Sequence, residues 1–520
     1  MIEAELALRS PVMQRRFRHR RGRAAAVLLM TGVLASALVM PVRSAEATGV
    51  EAAAAKKRSA GRRVLRRATT TVPATTVAEI GIGEILRRTA GVNPVNPVDP
   101  TLPTQPSSPG PTTTVANLLP SPTTLTPTTL APLAPSITPI AYVDYALRLI
   151  ERFTVKRSVV DLPAIRRRAE EKAVSARTLA DTYPIIREAL DALGDRHSSL
   201  LDPNSAKSLV QGSSAGFGIR VFPGNVLWVF PGSPAELAGL RNRDRLVSIN
   251  GKPLAETTSA DRSGDVLRFG VDRRGQGALE ISVTKGTIVT AEKPAIRSLD
   301  GRLGYIDLPG STGDAGYEEV FSREGLDQFR AVDTGAQGAQ CGWVLDLRRN
   351  SGGRPFSMLA PITPLLPQGA LLSSQYGDGR LEAWVLAGDR ITVGGNIAWR
   401  MTNPYRTARV DVPVAILMSP VTASAAEAAT IAFVGRPNVR RFGEPSVGVT
   451  SANAGVLLAD GAFIQVTASL DVDKNGTVYD GPLAPDEPLA NDFSVLGLAE
   501  DPVLNAAQAW LRAQPACNGG

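Results

Sequence analysis

The chain reads as an α/β protein with an N-terminal helical segment and an inserted small β-domain. Three observations predict that class. Apolar runs at Leu303 to Leu308, Trp343 to Leu347, Val414 to Met418 and Phe463 to Val466 read as buried strands, with helices between them. An apolar stripe of Tyr142, Val143, Leu147, Leu149, Ile150 and Phe153 recurs at helical spacing. Between residues 212 and 290 the period changes to short strands separated by Gly, Pro and Asn turns.

The 520 residues allow about three domains plus unstructured tails. The net charge of +8 would suggest a nucleic-acid partner if it were spread over a folded face. It is not: residues 1–90 hold 17 Lys/Arg against 6 Asp/Glu, leaving 40 against 43 in residues 91–520. A nearly neutral folded part argues against nucleic-acid binding. The two histidines, His19 and His197, and two cysteines, Cys341 and Cys517, form no cluster with metal-ligand spacing, so neither a metal nor another cofactor is expected. Whether the cysteines pair is open at this level.

Residues 1–47 read as a targeting segment. Arg15, Arg16, Arg18, Arg20, Arg21 and Arg23 precede an apolar run over 24–40, and Ala45-Glu46-Ala47 offers a small-x-small cleavage site. The run is also long enough to act as an uncleaved membrane anchor. Both readings put the folded part outside the cytoplasm, secreted or attached to the envelope. Residues 48–140, first basic and then rich in Pro and Thr, cannot bury a core and read as a spacer. Over 141–205 the pattern predicts helices through Phe153, from Arg166 to Ala180 and from Ile185 to Leu193, with a stop at Gly194 and a turn at Asp195-Arg196-His197-Ser198.

The most informative stretch is Val421-Thr422-Ala423-Ser424-Ala425-Ala426-Glu427, between a strand and a small-residue helix running to Phe433. A serine in a strand-to-helix turn presents its hydroxyl as a nucleophile must. A plain helix N-cap explains the same serine, so its surroundings decide. Asp471-Val472-Asp473-Lys474-Asn475-Gly476 imitates half a calcium loop, but the closing twelfth position is Pro482. Asn475-Gly476 is better read as a hairpin turn.

The segment 212–290 carries Gly216-Phe217-Gly218-Ile219, Pro231-Gly232-Ser233-Pro234-Ala235 and Asp244-Arg245-Leu246-Val247-Ser248-Ile249-Asn250-Gly251, and resembles a PDZ domain. The resemblance implies that the backbone amides of the loop Gly216-Phe217-Gly218 receive a peptide's terminal carboxylate, the peptide adding as a strand beside Ile219 to Val221. Following it, over 295–515, come Gly304-Tyr305-Ile306, Leu345 to Gly353, Thr422 to Glu427 and Gly443-Glu444-Pro445. Together these resemble the C-terminal processing peptidases and their tricorn-like relatives. That implies a crotonase/ClpP-like peptidase core with Ser424 as nucleophile and peptides or proteins as substrates.

One branch of this resemblance uses a lysine base, and its counterpart here is Val449. The other uses a histidine in a turn just before the PDZ insertion, which His197 matches. An imidazole can take the hydroxyl proton and return it to the leaving amine. The same resemblance implies Asp480 as the group orienting His197, and Gly352 or Gly353 with Ala425 as oxyanion donors. A rival reading keeps the scaffold without turnover, as a binder of peptides or apolar ligands. It rests on Val449, on Arg196 where that branch carries a serine, and on Asp480 where it carries a glutamate.

Overall fold

The computed structural model describes residues 137–518, apart from 223, 259, 301, 336–339 and 410. The targeting segment and nearly all of the spacer lie outside the described residues. Within them, no helix is long and apolar enough to cross a membrane.

Six strands form the central sheet, in the order Ala295–Ser298, Leu303–Asp307, Gly342–Asp346, Val414–Met418, Val439–Gly443 and Glu487–Pro488. The first pairing is antiparallel and all the others are parallel. Gly342–Asp346 and Val414–Met418 are buried along their whole length, as strands covered on both faces must be. Helix Ala315–Asp333 covers one face, where Phe329 stacks on Trp343 with centroids 4.1 Å apart. Helix Pro502–Arg512 covers the other through Leu504 and Leu511 against Val344 and Leu417. Because these strands are parallel, the loops that follow residues 307, 346, 418 and 443 all leave from one end of the sheet. Ligand sites of open α/β sheets form at that end.

A second, antiparallel sheet runs in the order Ser199–Leu201, Phe463–Asp473, Gly369–Tyr376, Leu381–Ala387, Arg390–Val393 and Asn396–Arg400, and Ser451–Leu457 also pairs with Phe463–Asp473. The strand expected over Phe463 to Val466 therefore runs on to Asp473. Helices Pro139–Phe153, Leu162–Ala173 and Tyr183–Asp191 bury their apolar stripes on this sheet, against Leu200, Ile464 and Val466. Tyr142 and Tyr183 both donate to the Asp460 carboxylate, at 2.7 and 2.6 Å. The helix expected to reach Ala180 stops at Ala173. Asp181 accepts from the amides of Arg177 and Thr178, at 2.9 and 2.8 Å, and this local alternative ends the helical ladder.

The inserted domain leaves and rejoins the core through one antiparallel pair, Ser213–Gly216 with Gly286–Val289. Its own cluster joins Val226, Leu246, Ile249, Phe269, Val271 and Val283. It docks on the core in two places. Phe222 meets Phe493 edge-on at 5.3 Å in a cluster that includes Leu227 and Val421. Trp228 lies under the Arg349 guanidinium at 3.8 Å.

Cys341 and Cys517 form a disulfide across 176 residues, tying the edge of strand Gly342–Asp346 to the chain's C-terminal end. By loop-closure arguments, a bridge over so long a loop stabilises by about 2–5 kcal/mol. Denaturant titration with and without reductant is expected to show that loss. Cys341→Ser should reproduce it in the absence of reductant.

Candidate active site

Strand Val414–Met418 delivers a turn held by the hydroxyls of Ser419 and Thr422. Ser419 Oγ donates to the Arg348 carbonyl at 2.5 Å, and Thr422 Oγ1 donates to the Leu347 carbonyl at 2.9 Å. The turn ends on Ser424, whose φ of 54° and ψ of −120° lie where L-residues rarely sit. Strain of that kind persists only where the surroundings impose it, and it gathers at functional turns. Ala425, Ala426, Ala428 and Ala429 are buried, so the helix Ala425–Ile431 can press into the core directly behind the serine.

Gly352 and Gly353, with φ of 99° and 135°, turn the neighbouring loop toward Ser424. A Cβ on Gly352 would stand 2.8 Å from Ser424 Cβ and 3.2 Å from the Ala425 nitrogen. One on Gly353 would stand 2.2 Å from the Ser311 carbonyl oxygen. The three expected oxyanion residues do not have equivalent roles. The Gly352 amide donates to Asn350 Oδ1 at 2.8 Å and is taken. What Gly352 contributes is the absence of a side chain. The amides of Gly353 and Ala425 have no recorded partner among the described residues and are the pair available to an oxyanion.

Behind the serine, Glu427 is fully buried and accepts four hydrogen bonds. They come from the Ser424 amide at 2.7 Å, Ser446 Oγ at 2.5 Å, the Gly448 amide at 2.7 Å and the Val449 amide at 3.0 Å. Burial pushes its carboxyl up to about 7 against the pull of these donors. Val449, at the lysine position of the other branch, thus faces this carboxylate with its backbone.

His197 reaches the same loop from the opposite side. Asp195 accepts from the His197 and Ser198 amides, at 3.0 and 2.7 Å, and from Thr467 Oγ1 at 3.0 Å, which sets the turn. The ring's Nδ1 lies 2.8 Å from Ser451 Oγ. Arg196 donates to the carbonyls of Val447 and Gly448, at 3.0 and 3.1 Å, and Asn453 Nδ2 donates to the His197 carbonyl at 3.2 Å. Burial pushes the imidazole down to about 4, with Asp195 opposing, so it is neutral at neutral pH. The ring borders a polar cleft of about 250 Å³ shared with Lys156, Val449, Ser451 and Asp480.

Asp480 is in that cleft but does not hold the ring. Its carboxylate, 60% exposed, pairs with Lys156 Nζ at 2.7 Å, and the ring's partner is Ser451. Sequence reasoning missed Ser451 and Lys156, and it overlooked the reach of Glu427. Ser424 followed three residues later by Glu427 is a capping-box pattern and could have flagged the last. Nothing local flags the other two.

In the inserted domain, the carbonyls of Phe217 and Gly218 accept from Ala235 at 2.8 Å and Phe230 at 2.9 Å, and Gly216 pairs with Gly286. Ile219–Val221 pairs with Val226–Val229, and the backbone groups of Ile219 and Val221 on its other edge have no recorded backbone partner among the described residues. Of Gly216, Phe217, Gly218 and Ile219, only the last therefore stands on an open strand edge.

Residues 302–489 match the model of peptidase family S41, and residues 226–268 match that of a PDZ domain. The carboxy-terminal processing protease CtpA of Bacillus subtilis is 25% identical over 299 residues, covering 55% of this chain and 58% of that one. The nisin-resistance protein of Lactococcus lactis is 32% identical over 146 residues, 28% of this chain and 45% of that one. The chain thus spans about half the length of these two relatives. A carboxyl-terminal-processing protease of Picosynechococcus is 26% identical over 359 residues, 64% and 79% of the two chains. Among solved structures, a lipoprotein from Streptococcus agalactiae aligns with a TM-score of 0.48 at 19% identity, over 74% of this chain and 99% of that one. Over its α/β core the chain is thus similar to peptidase family S41, and over residues 226–268, ahead of that core, to PDZ domains.

Proposed function

We propose that this protein is a serine endopeptidase acting outside the cytoplasm, with Ser424 as nucleophile and His197 as general base. The observation that carries this reading is the loop 446–451. It is tied to Ser424 through Glu427 at one end and to the His197 ring through Ser451 at the other. With Nδ1–H donating to Ser451 Oγ, Nε2 keeps its lone pair for the Ser424 proton. Ser424 Oγ attacks the scissile carbonyl carbon, and the amides of Gly353 and Ala425 hold the oxyanion. His197 then passes the proton to the leaving amine, and water repeats the sequence on the acyl-enzyme.

Substrates are proteins or peptides. The open edge at Ile219 and Val221 supports strand addition by a peptide, and docking of the PDZ domain against Arg349 and Val421 supports a gating role. The arginine-rich leader before an apolar run and the Cys341–Cys517 bridge support an oxidising compartment. One observation favours the non-cleaving alternative: His197 rests on a hydroxyl rather than on a carboxylate.

A fluorophosphonate probe is expected to label the protein at Ser424. Ser424→Ala should abolish labelling, and His197→Ala should slow it by roughly 10³-fold or more. Labelling that survives both changes contradicts the assignment, and saturable peptide binding without turnover favours the alternative. Gly352→Ala should slow labelling about 10²–10³-fold, the cost of disturbing an oxyanion hole, while the fold persists by circular dichroism. Because burial holds His197 neutral down to about 4, the NMR signals of its ring should titrate near 4 and be unchanged between pH 5 and 8. A ring that titrates near the ordinary histidine value would count against this reading of His197.

A further inference from the structure

The loop that carries the site has a second buried carboxyl beside it, which the proposed chemistry does not use. Asp471, on strand Phe463–Asp473, is 1% exposed, and its Oδ2 is buried with no hydrogen-bond partner among the described residues. Buried polar atoms nearly always have partners, so an orphan carboxyl oxygen asks for an explanation. The backbone here is held on both sides: the Asp471 amide donates to the Thr450 carbonyl, in the 446–451 loop, at 3.0 Å, and its carbonyl accepts from the Tyr479 amide at 2.9 Å.

The groups around it are acidic or neutral. Glu427, on helix Ala425–Ile431, is the charge that acts on it, and its own four acceptor positions are filled. On its own strand, Asp473 is committed to the amides of Asn475 and Thr477 and to the Tyr479 hydroxyl. From the turn after it, Asp480 pairs with Lys156. From the flanking strands, Ser374 accepts from Trp384 Nε1, and Ser451 is engaged with His197. No lysine or arginine pairs with Asp471 or Glu427 among the described residues.

Resting on the serine-peptidase reading, we propose that Asp471 is a positioning residue kept as a neutral carboxylic acid. Losing its proton would place a second negative charge against Glu427 and drive that carboxylate off the amides that align Ser424 with the 446–451 loop. Two ionised carboxylates cannot share a dry site without a cation. Glu427, with four donors, is the one to hold the charge. Asp471, with none, holds the proton. Burial and the Glu427 charge push Asp471 up to about 8. From the ordinary aspartate value up to about 8, the folded state therefore binds a proton that the unfolded chain has released. Stability falls as pH rises through that window.

The test compares wild type with Asp471→Asn, which copies the neutral acid's shape and cannot ionise. In wild type, the serine-probe labelling rate at pH 9 should be roughly a tenth of that at pH 7, as expected one unit above the titration. In Asp471→Asn the ratio should rise above a half. Thermal melts from pH 5 to 9, which need no activity, should show the Tm of wild type falling with pH relative to the variant. Parallel melting curves and identical rate ratios would overturn the proposal. If wild type is not labelled at any pH, the peptidase reading fails and the melts still decide the role of Asp471. Should Asp471→Asn not fold, carbon-13 NMR of aspartate-labelled wild type replaces it. A carboxyl titrating near 8 supports the proposal, and the absence of one above about 6 overturns it.

Discussion

Glu427 is the constraint on which the candidate site depends. Its carboxylate receives four hydrogen bonds from two segments that share no secondary structure. Hydrogen bonds to a charged group contribute about 1.5–3 kcal/mol each, and several are needed to offset the desolvation of a buried carboxylate. The result is a fixed relation between the amide of Ser424 and the loop that receives the His197 turn. His197 is brought there by helices that pack on the second sheet, so Glu427 couples the turn at Ser424 to the loop against which the His197 turn packs.

The surroundings of the loop at Gly352 and Gly353 follow a similar logic. Arg348 and Arg349 are adjacent, and their side chains part. Arg348 is fully buried and ion-paired with Asp346 and Asp501, and Asp501 caps the C-terminal helix through the amides of Val503 and Leu504. Arg349 pairs with Asp307 and Glu292 and lies over Trp228 of the PDZ domain, while Glu292 also binds Arg220 at 2.6 Å. The strand end leading to Gly352 and Gly353 is thus clamped between the C-terminal helix and the PDZ domain. Buried ion pairs are a poor source of stability, but they fix geometry, and geometry is what the proposed pair of oxyanion donors needs.

Much of this was legible in the sequence, because it was written locally. The parallel strands announced themselves as apolar runs, and the turn at Ser424 as a strand handing over to a small-residue helix. The missing lysine at Val449 turned attention to His197. What was not legible depends on pairing across long separations. Ser451 meets His197 across 254 residues, and Lys156 meets Asp480 across 324. Asp480 was named as the ring's partner because it sits in the right late segment, yet its charge is spent on Lys156. Gly352 was counted as a donor because glycine suits such a loop. Asn350, two residues earlier, had already claimed its amide.

The central claim is that Ser424 and His197 act as one unit on a carbonyl carbon. The most direct test is a crystal structure of the protein after reaction with a fluorophosphonate. The account predicts a bond from Ser424 Oγ to phosphorus and the phosphoryl oxygen on the amides of Gly353 and Ala425. It also predicts His197 Nε2 at about 2.6–3.2 Å from the serine oxygen. An adduct on another residue, or one on Ser424 with its oxygen in solvent and the His197 ring out of reach, would contradict it.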